Sequence, residues 1–467
     1  MAPDSLAKQL DDLATAHDVP GAAVGLLRLG DRPETDELIT AAYGVTNVET
    51  GVPVTPDTVF QIGSISKVFT TMLIMQLVDQ GVVDLDTPVA TVMPELQLST
   101  ETGMQEVTVR QLLCHTSGID GDVFTDFGRG DDCVERYVAA LDEVPQVFRP
   151  GRMFSYSNTA FVLAGRLIEV LTGTSWDAQL RSTVLTPLGL THTSTLPEEA
   201  LLLRSAVGHE GEKGARRRVD HWQLPRSVGP AGLINSTVAD VLTFAACHLR
   251  DGLHGDTRLL SADASRQMRA RQSEPPVGMH LDGHQGLGWR CDSWHGVDVF
   301  GHDGATVGQY AHLLVLPEQR LALSLLTNGP GAASLWVELR HAVLADEGVE
   351  APLSICPAPT PGPGADQDLD RWVGIYRSAA EDIVVERADD GLRLTITETE
   401  VGPDPDSEPD VRLLRPLGAD RFASRDEGAV AWSAASFGTM TAEEGEEGRD
   451  YLHLGLRLYR RAYSRAQ

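Results

Sequence analysis

The chain has 467 residues, 42% of them hydrophobic, which is long for one domain and ample for a sizeable core. Lys and Arg number 38 against 67 Asp and Glu, a net charge of −29 that repels nucleic acid and anionic membranes and otherwise serves solubility. No run of 18 or more apolar residues occurs, so no membrane span is expected.

The N-terminal stretch Met1 to His17 is charged. It lacks the basic start, apolar middle and small-residue cleavage site of an export signal, which fits a cytoplasmic location. Its Ser5-Leu6-Ala7-Lys8 is one S-x-x-K match, read as a solvated helix face. A second match, Ser64-Ile65-Ser66-Lys67, runs into an apolar-periodic segment from Val68 to Val78. On a helix, a serine and a lysine three apart share one face. The amine of Lys67 can then take the proton of Ser64 and make it an acylatable nucleophile.

Next comes the turn Arg149-Pro150-Gly151-Arg152, then Phe154-Ser155-Tyr156-Ser157-Asn158. In an extended or loop segment, residues two apart point the same way, so Tyr156 and Asn158 would face one cleft. A phenol beside an ammonium can be pushed toward phenolate and shuttle protons. The Asn158 amide can donate to a substrate carbonyl and accept from Lys67. The structural alternative is a buried tyrosine held by local hydrogen bonds.

Three segments read H-x-G: His209-Glu210-Gly211, His284-Gln285-Gly286 and His302-Asp303-Gly304. Only His302 precedes a long strand pair, Tyr310–Leu316 and Leu321–Thr327, joined by the turn Pro317-Glu318-Gln319-Arg320. Glycine at 304 lets a strand pass close to a ligand. The backbone N–H of Ala305 could then join that of Ser64 as an oxyanion hole.

Residues 351–368 are Pro/Gly-rich and read as a semi-rigid linker. Beyond them, Trp372–Arg377, Ile383–Arg387, Leu392–Thr397, Val411–Pro416, Arg421–Ala423 and Tyr451–Arg460 alternate like short strands, so 369–467 reads as a small antiparallel barrel or sandwich. The five cysteines, Cys114, Cys133, Cys247, Cys291 and Cys356, are scattered without C-x-x-C and read as reduced, mostly buried thiols. His280 and His284 are four apart, but the glycine between them and Pro275-Pro276 argue against a helical metal pair, so neither metal nor cofactor is expected.

Taken in this order, Ser64-x-x-Lys67, Tyr156-x-Asn158 and His302-x-Gly304 resemble the motifs of the penicillin-binding-protein and serine β-lactamase superfamily, on its class C, esterase and D-aminopeptidase side. Gln111–Ile119, Gly229–Leu233 with Ser236, Thr237 and Asp240, and Val19–Gly25 are similar to further phrases of that family, and the resemblance spans about residues 5 to 345. It implies an α+β fold: a β-lactamase/transpeptidase-like domain at 1–350, an antiparallel sheet with helices around it, its N- and C-terminal strands together. The alternation of helices and strands alone says only α with β. Gly374-Ile375-Tyr376 and Leu456–Arg460 are similar to the lipocalin-like domain appended to some members, placing a small lipocalin-like β-barrel at 369–467.

One departure matters. Many members carry K-T-G at the third motif, where lysine is a fixed cation for a substrate carboxylate. His302 titrates near neutrality and offers a conditional charge, which turns the expectation away from β-lactam hydrolysis.

What the resemblance implies is acyl transfer with Ser64, Lys67, Tyr156, Asn158 and His302 as the catalytic set and the Ser64 and Ala305 amides on the oxyanion. Gly304 and Arg457 are candidate substrate contacts. Whether Lys67 or Tyr156 is the general base is open, since the two would titrate together. The stand-alone penicillin-binding-protein-type thioesterases of nonribosomal peptide pathways share these motifs and the lipocalin-like domain. They accept a linear peptide, typically with a C-terminal D-residue, from a peptidyl carrier protein and cyclise it to a macrolactam. That is the favoured expectation; a D-amino-acid peptidase or esterase is the alternative. An acyl-binding sensor on the same fold would be expected to lack one of the four motif residues, and none is missing. Docking an acidic carrier needs a basic patch, for which Arg216, Arg217, Arg218, Arg457, Arg460, Arg461 and Arg465 are candidates.

Overall fold

The computed structural model describes residues 1–99, 107–276, 278–359, 368–402, 407–418, 420–426 and 428–462. Helix α1 (Pro3–Ala16) begins with proline at its first turn and buries Leu6, Leu10 and Ala14, four apart on one face. Lys8 lies on the opposite face, paired with Asp12 at 2.5 Å, which disposes of the first S-x-x-K. The chain then builds β1 (Gly21–Arg28) and β2 (Glu37–Gly44).

Central to the first domain is a seven-stranded antiparallel sheet. Its remaining strands are β3 (His284–Gln285), β4 (Arg290–Trp294), β5 (Val297–Ala305), β6 (Tyr310–Leu316) and β7 (Leu321–Thr327), in the order β2-β1-β7-β6-β5-β4-β3. The first strand pairs with the last, Ala22 opposite Thr327 through Arg28 opposite Leu321. β1 and β7 are apolar without alternation because both sheet faces are covered. On one face, α1 and α5 (Ala332–Asp346) close a core with Leu323, Leu335 and Leu339. On the other sit α2 (Ser66–Asp79), α3 (Asn158–Thr172) and α4 (Val238–Leu249), in one larger core. Every residue of α2 from Ser66 to Leu77 is buried, so it is a central helix rather than a surface one.

The second domain is a closed eight-stranded, lipocalin-like barrel. Its strands run in sequence: β8 (Gly374–Arg377), β9 (Glu381–Ala388), β10 (Gly391–Glu398), β11 (Asp410–Gly418), β12 (Arg421–Ser424), β13 (Ser433–Thr439), β14 (Asp450–Leu454) and β15 (Arg457–Ala462). Pairing of β8 with β15 closes it. The inside is filled by Trp372, Tyr376, Ile383, Leu394, Phe422 and Phe437. One strand expectation is corrected, and the structure adds a strand beyond those expected. Tyr451–Arg460 is a hairpin, folded at Gly455 with φ +57. Ser433–Thr439, rich in Ser, Ala and Gly, carries little strand propensity, yet it is needed to close the barrel.

The barrel is docked rather than tethered. Val147 and Phe148 of the first domain pack with Met440 and Leu458. Backbone bonds cross the seam from Phe124 N to Val401 O (2.8 Å), Arg149 N to Glu444 O (2.7 Å) and Tyr156 N to Leu456 O (2.9 Å). Within the expected linker, Ala351 and Cys356 are buried and Cys356 bridges to Trp432; residues 360–367 lie outside the described residues. All five cysteines are free and buried. Among the described residues, no helix is long and apolar enough to cross a membrane.

Candidate active site

Ser64 sits in a 3-10 turn, Gly63–Ile65, that feeds directly into α2. Three contacts fix that turn. Gln61 N donates to Gln309 Oε1 (3.1 Å), Ile62 N to Ile234 O (2.9 Å), and Ile234 N to Ser66 Oγ (3.0 Å). One helical turn on, the Lys67 amine meets Ser64 Oγ at 3.0 Å, Asn158 Oδ1 at 2.6 Å and Ala231 O at 2.7 Å.

Burial pulls the Lys67 ammonium well below its usual value; Asp122 opposes this and Arg457 adds to it. A neutral amine has two N–H donors and one lone pair. The carbonyl oxygens of Asn158 and Ala231 can only accept, so they take both donors. The lone pair is left facing the Ser64 hydroxyl, the arrangement a general base requires.

Tyr156 lies over the same spot, its ring 4.8 Å from Lys67 Nζ and its hydroxyl bonded to Ser64. Burial pushes the phenol up to about 12, against the Ser64 bond and the charges of Arg457 and Arg290. The expected drift toward phenolate is therefore corrected: Tyr156 is a protonated donor. The energetics favour Lys67 as base and Tyr156 as the acid beside it. His115 stacks on the Tyr156 ring at 4.3 Å, and its Nδ1 accepts from Ser157 N at 3.1 Å.

Asn158 is not in an extended segment. It opens α3, because Ser157 caps the helix by accepting from Ala160 N at 3.0 Å. Its Oδ1 serves Lys67, as expected. Its Nδ2, expected to reach a substrate carbonyl, donates to Asp122 Oδ1 instead. Asp122 in turn accepts from Arg457 Nε of the barrel. Arg457 also lies over the Tyr156 ring at 5.3 Å. Burial pulls its guanidinium down, but Asp122 outweighs burial and holds it above the ordinary value.

His302 lies on β5, 3% exposed, its ring centroid 6.2 Å from that of Tyr156. Burial drives it well below its usual value, and Arg290 and Lys67 add to that, so the conditional charge expected of it gives way to a neutral ring. Its Nδ1 faces the Asp303 carbonyl oxygen at 2.6 Å. A carbonyl only accepts, so the proton sits on Nδ1 and Nε2 is left as a bare acceptor. Asp303, which the sequence reading left out of the set, pairs with Arg290 and lies 2.7 Å from His312 Nδ1. The two decoys are tied up by backbone: His209 by Asn328 O (2.7 Å) and Val48 N (3.1 Å), His284 by Arg269 O (2.9 Å).

Opposite α2, the β5–β6 hairpin carries Ala305, whose amide is the expected second oxyanion donor. Thr306 N bonds Gln309 O at 3.0 Å, so the next pair, Ala305 opposite Tyr310, is a non-hydrogen-bonded one. The Ala305 N–H therefore points away from β6, toward the Ser64 turn. The approach is close. A Cβ on Gly63 would fall 2.6 Å from Ala305 N, and one on Gly304 would fall 2.0 Å from Ile62 O and 2.9 Å from Ser64 N. Gly304 thus seats the strand against the nucleophile's own backbone.

These groups line a cleft of about 1400 Å³. Ser64, Tyr156 and His302 form its floor, while Glu400, Leu456 and Arg457 of the barrel form part of its wall. The basic candidates are largely neutralised in place: Arg216 by Asp18 (3.0 Å), Arg217 by Glu210 (2.7 Å), Arg218 by Glu49 (3.5 Å) and Arg461 by Asp450 (2.8 Å). Arg465 lies outside the described residues.

A beta-lactamase family model matches residues 5–346. Penicillin-binding protein 4 of Amycolatopsis lactamdurans is 44% identical over 366 residues, 76% of this chain and 93% of its own. The chain belongs to the beta-lactamase family. As a member it is a serine enzyme, a hydrolase or an acyltransferase of the beta-lactamase and penicillin-binding-protein type. Among solved structures, SurE matches with a TM-score of 0.75 and 29% identity, over 98% of this chain and 99% of that one. SurE with D-Leu matches with a TM-score of 0.72 and 28% identity. The likeness therefore covers the barrel as well as the beta-lactamase domain. Asp122, His115, Ala231 and Arg290 are the site residues that motif reasoning missed. His115 and Ala231 lie inside phrases it had noticed; Asp122 and Arg290 carry no local signal.

Proposed function

We propose that this enzyme releases a linear nonribosomal peptide from a carrier-protein thioester as a Ser64 ester and cyclises it head-to-tail to a macrolactam. In this reading, residues 1–350 carry the chemistry and the barrel at 369–467 walls the cleft. Ser64 attacks the thioester carbonyl and passes its proton to the neutral Lys67 amine. The Ser64 and Ala305 amides take the oxyanion. The C–S bond breaks, and the carrier thiol leaves with a proton delivered from Lys67 by way of Tyr156. The peptide's own amine then attacks the ester carbonyl and gives its proton to His302 Nε2; as the C–O bond breaks, that same proton returns to the Ser64 oxygen by way of Tyr156, which leaves His302 neutral.

The observation that carries this reading is the cleft of about 1400 Å³ built jointly by both domains. A folded-back peptide needs such a volume; a small ester does not. Whole-chain likeness to SurE, whose structure has been solved with D-Leu, supports a D-residue on the acyl side. A carrier protein would dock by exchanging existing arginine pairs rather than meeting a bare basic patch. The hydrolytic reading, a D-amino-acid peptidase or esterase, draws on the 44% identity to a protein named for binding penicillin.

The test is mass spectrometry of products from a linear peptidyl thioester with a C-terminal D-residue. A product equal to the free acid less one water, absent with Ser64→Ala, is expected. Free linear acid from the wild type would overturn cyclisation in favour of hydrolysis.

A further inference from the structure

Asp122 has no part in the acyl-transfer chemistry described so far, yet it sits where the two domains meet behind the general base. It is 6% exposed, on the loop between the short helices Val109–Leu113 and Cys133–Ala139. Its two carboxylate oxygens have different partners: Oδ1 accepts from Asn158 Nδ2, and Oδ2 accepts from Arg457 Nε. An ionised carboxylate can only accept, while an amide can present either end. Facing Asp122, the Asn158 amide must present its NH2, which leaves its oxygen for Lys67 at 2.6 Å. That choice decides whether the lysine lone pair is free for Ser64. Were the amide reversed, its N–H would claim the lone pair, and the base would be blocked.

We propose that Asp122 is a positioning residue for acyl transfer, holding the Asn158 carbonyl on Lys67 and itself held by Arg457, so that the barrel completes the base from across the domain seam. The inference rests on the Ser64 acyl-enzyme reading above. The groups facing Lys67 are Asp122 and His115 from the loop after Val109–Leu113, Tyr156 just ahead of α3, His302 from β5 and Arg457 from β15. Of these, Asp122 raises the lysine and Arg457 lowers it, burial being the larger influence. The two members of one ion pair thus act on the base with opposite sign, so removing either one moves the base in its own direction.

The experiment is single-turnover acylation of the full-length enzyme by a p-nitrophenyl ester across pH, with the adduct on Ser64 read by mass spectrometry. Lys67 acts when neutral, so acylation rises with pH through its apparent pKa. Asp122→Asn removes the raising charge and leaves Arg457 unopposed, so the acid limb should move down by about one pH unit. Because the substituted amide can offer an N–H where the carboxylate could only accept, the variant should also release the Asn158 amide to reverse, and the plateau should drop about 100-fold. Arg457→Gln should move the limb up, and Arg457→Lys should leave it near wild type. Shifts of the two limbs in the same direction, or no shift, would overturn the proposal. If Asp122→Asn fails to fold by thermal melting, the Arg457 pair decides: an unmoved limb in Arg457→Gln overturns it. A wild type that never acquires the Ser64 adduct would overturn the acyl-enzyme reading first, and this inference with it.

Discussion

Replacing Gly304 by alanine tests the oxyanion site without touching any side chain of the catalytic set. The new Cβ would stand 2.0 Å from Ile62 O, a backbone atom that cannot rotate away. Reaching a contact of about 3 Å moves the strand and the Ser64 turn apart by about 1 Å. The same Cβ would stand 2.9 Å from Ser64 N, so the displacement opens the gap between the two amides that take the oxyanion. Weakening one such donor typically costs about 3 kcal/mol of transition-state stabilisation, or roughly 100-fold in acylation. Misplacing a reacting group by about 1 Å gives a loss of the same order. Overpacking should also lower stability by about 1–3 kcal/mol. The assay is burst acylation by an activated ester, beside a denaturant melt of the same protein. Gly304→Ala that folds and acylates at the wild-type rate would refute both the close approach and the oxyanion assignment. A protein destabilised but fully active would refute the second alone.

The remaining predictions concern the seam and the base. Ser64→Ala should abolish covalent labelling by acylating probes, and labelling retained elsewhere on the chain would remove Ser64 as acyl carrier. Leu458→Ala, at a side chain 2% exposed in the cluster that joins the domains, should cost about 2–4 kcal/mol in chemical denaturation; a loss under about 1 kcal/mol would mean the barrel is not packed there. Deleting 369–467 should lower small-ester turnover as well as long-peptide turnover, because Arg457 and the Leu456 carbonyl leave with it; unchanged esterase activity would refute the barrel's part in the base. Asp120 is buried at the seam, where it accepts from Ala379 N at 2.8 Å, and burial raises its carboxyl from 3.8 to about 7. The folded state therefore holds the proton more tightly, and stability should fall as pH rises through the window between those values. Asp120→Asn should flatten that slope and stabilise the protein at pH 8 by at least ~1 kcal/mol; an unchanged slope would show that Asp120 is not its source.

Much of this protein was settled by local sequence. Ser64 and Lys67 meet because three residues make one helical turn, and that holds wherever the helix packs. Five apolar residues among the seven of β7 and the apolar run Gly21–Leu27 of β1 announce a sheet covered on both faces. The barrel was legible wherever inward and outward residues alternate, as in Ile383, Val384 and Val385. It was illegible at Ser433–Thr439, where small residues pair only because neighbouring strands demand it.

What the tertiary structure alone decided was charge. Sequence could place a phenol near an amine but not say which keeps the proton, since that depends on how much water each loses. Burial depresses Lys67 and raises Tyr156, and so favours the lysine as base. The same holds for His302, whose ordinary titration near neutrality is cancelled by burial and by Arg290. Asp122 and Arg457 are 335 residues apart in the chain and carry no shared motif. A motif records contacts that the backbone makes locally; an ion pair across two domains exists only once both have folded.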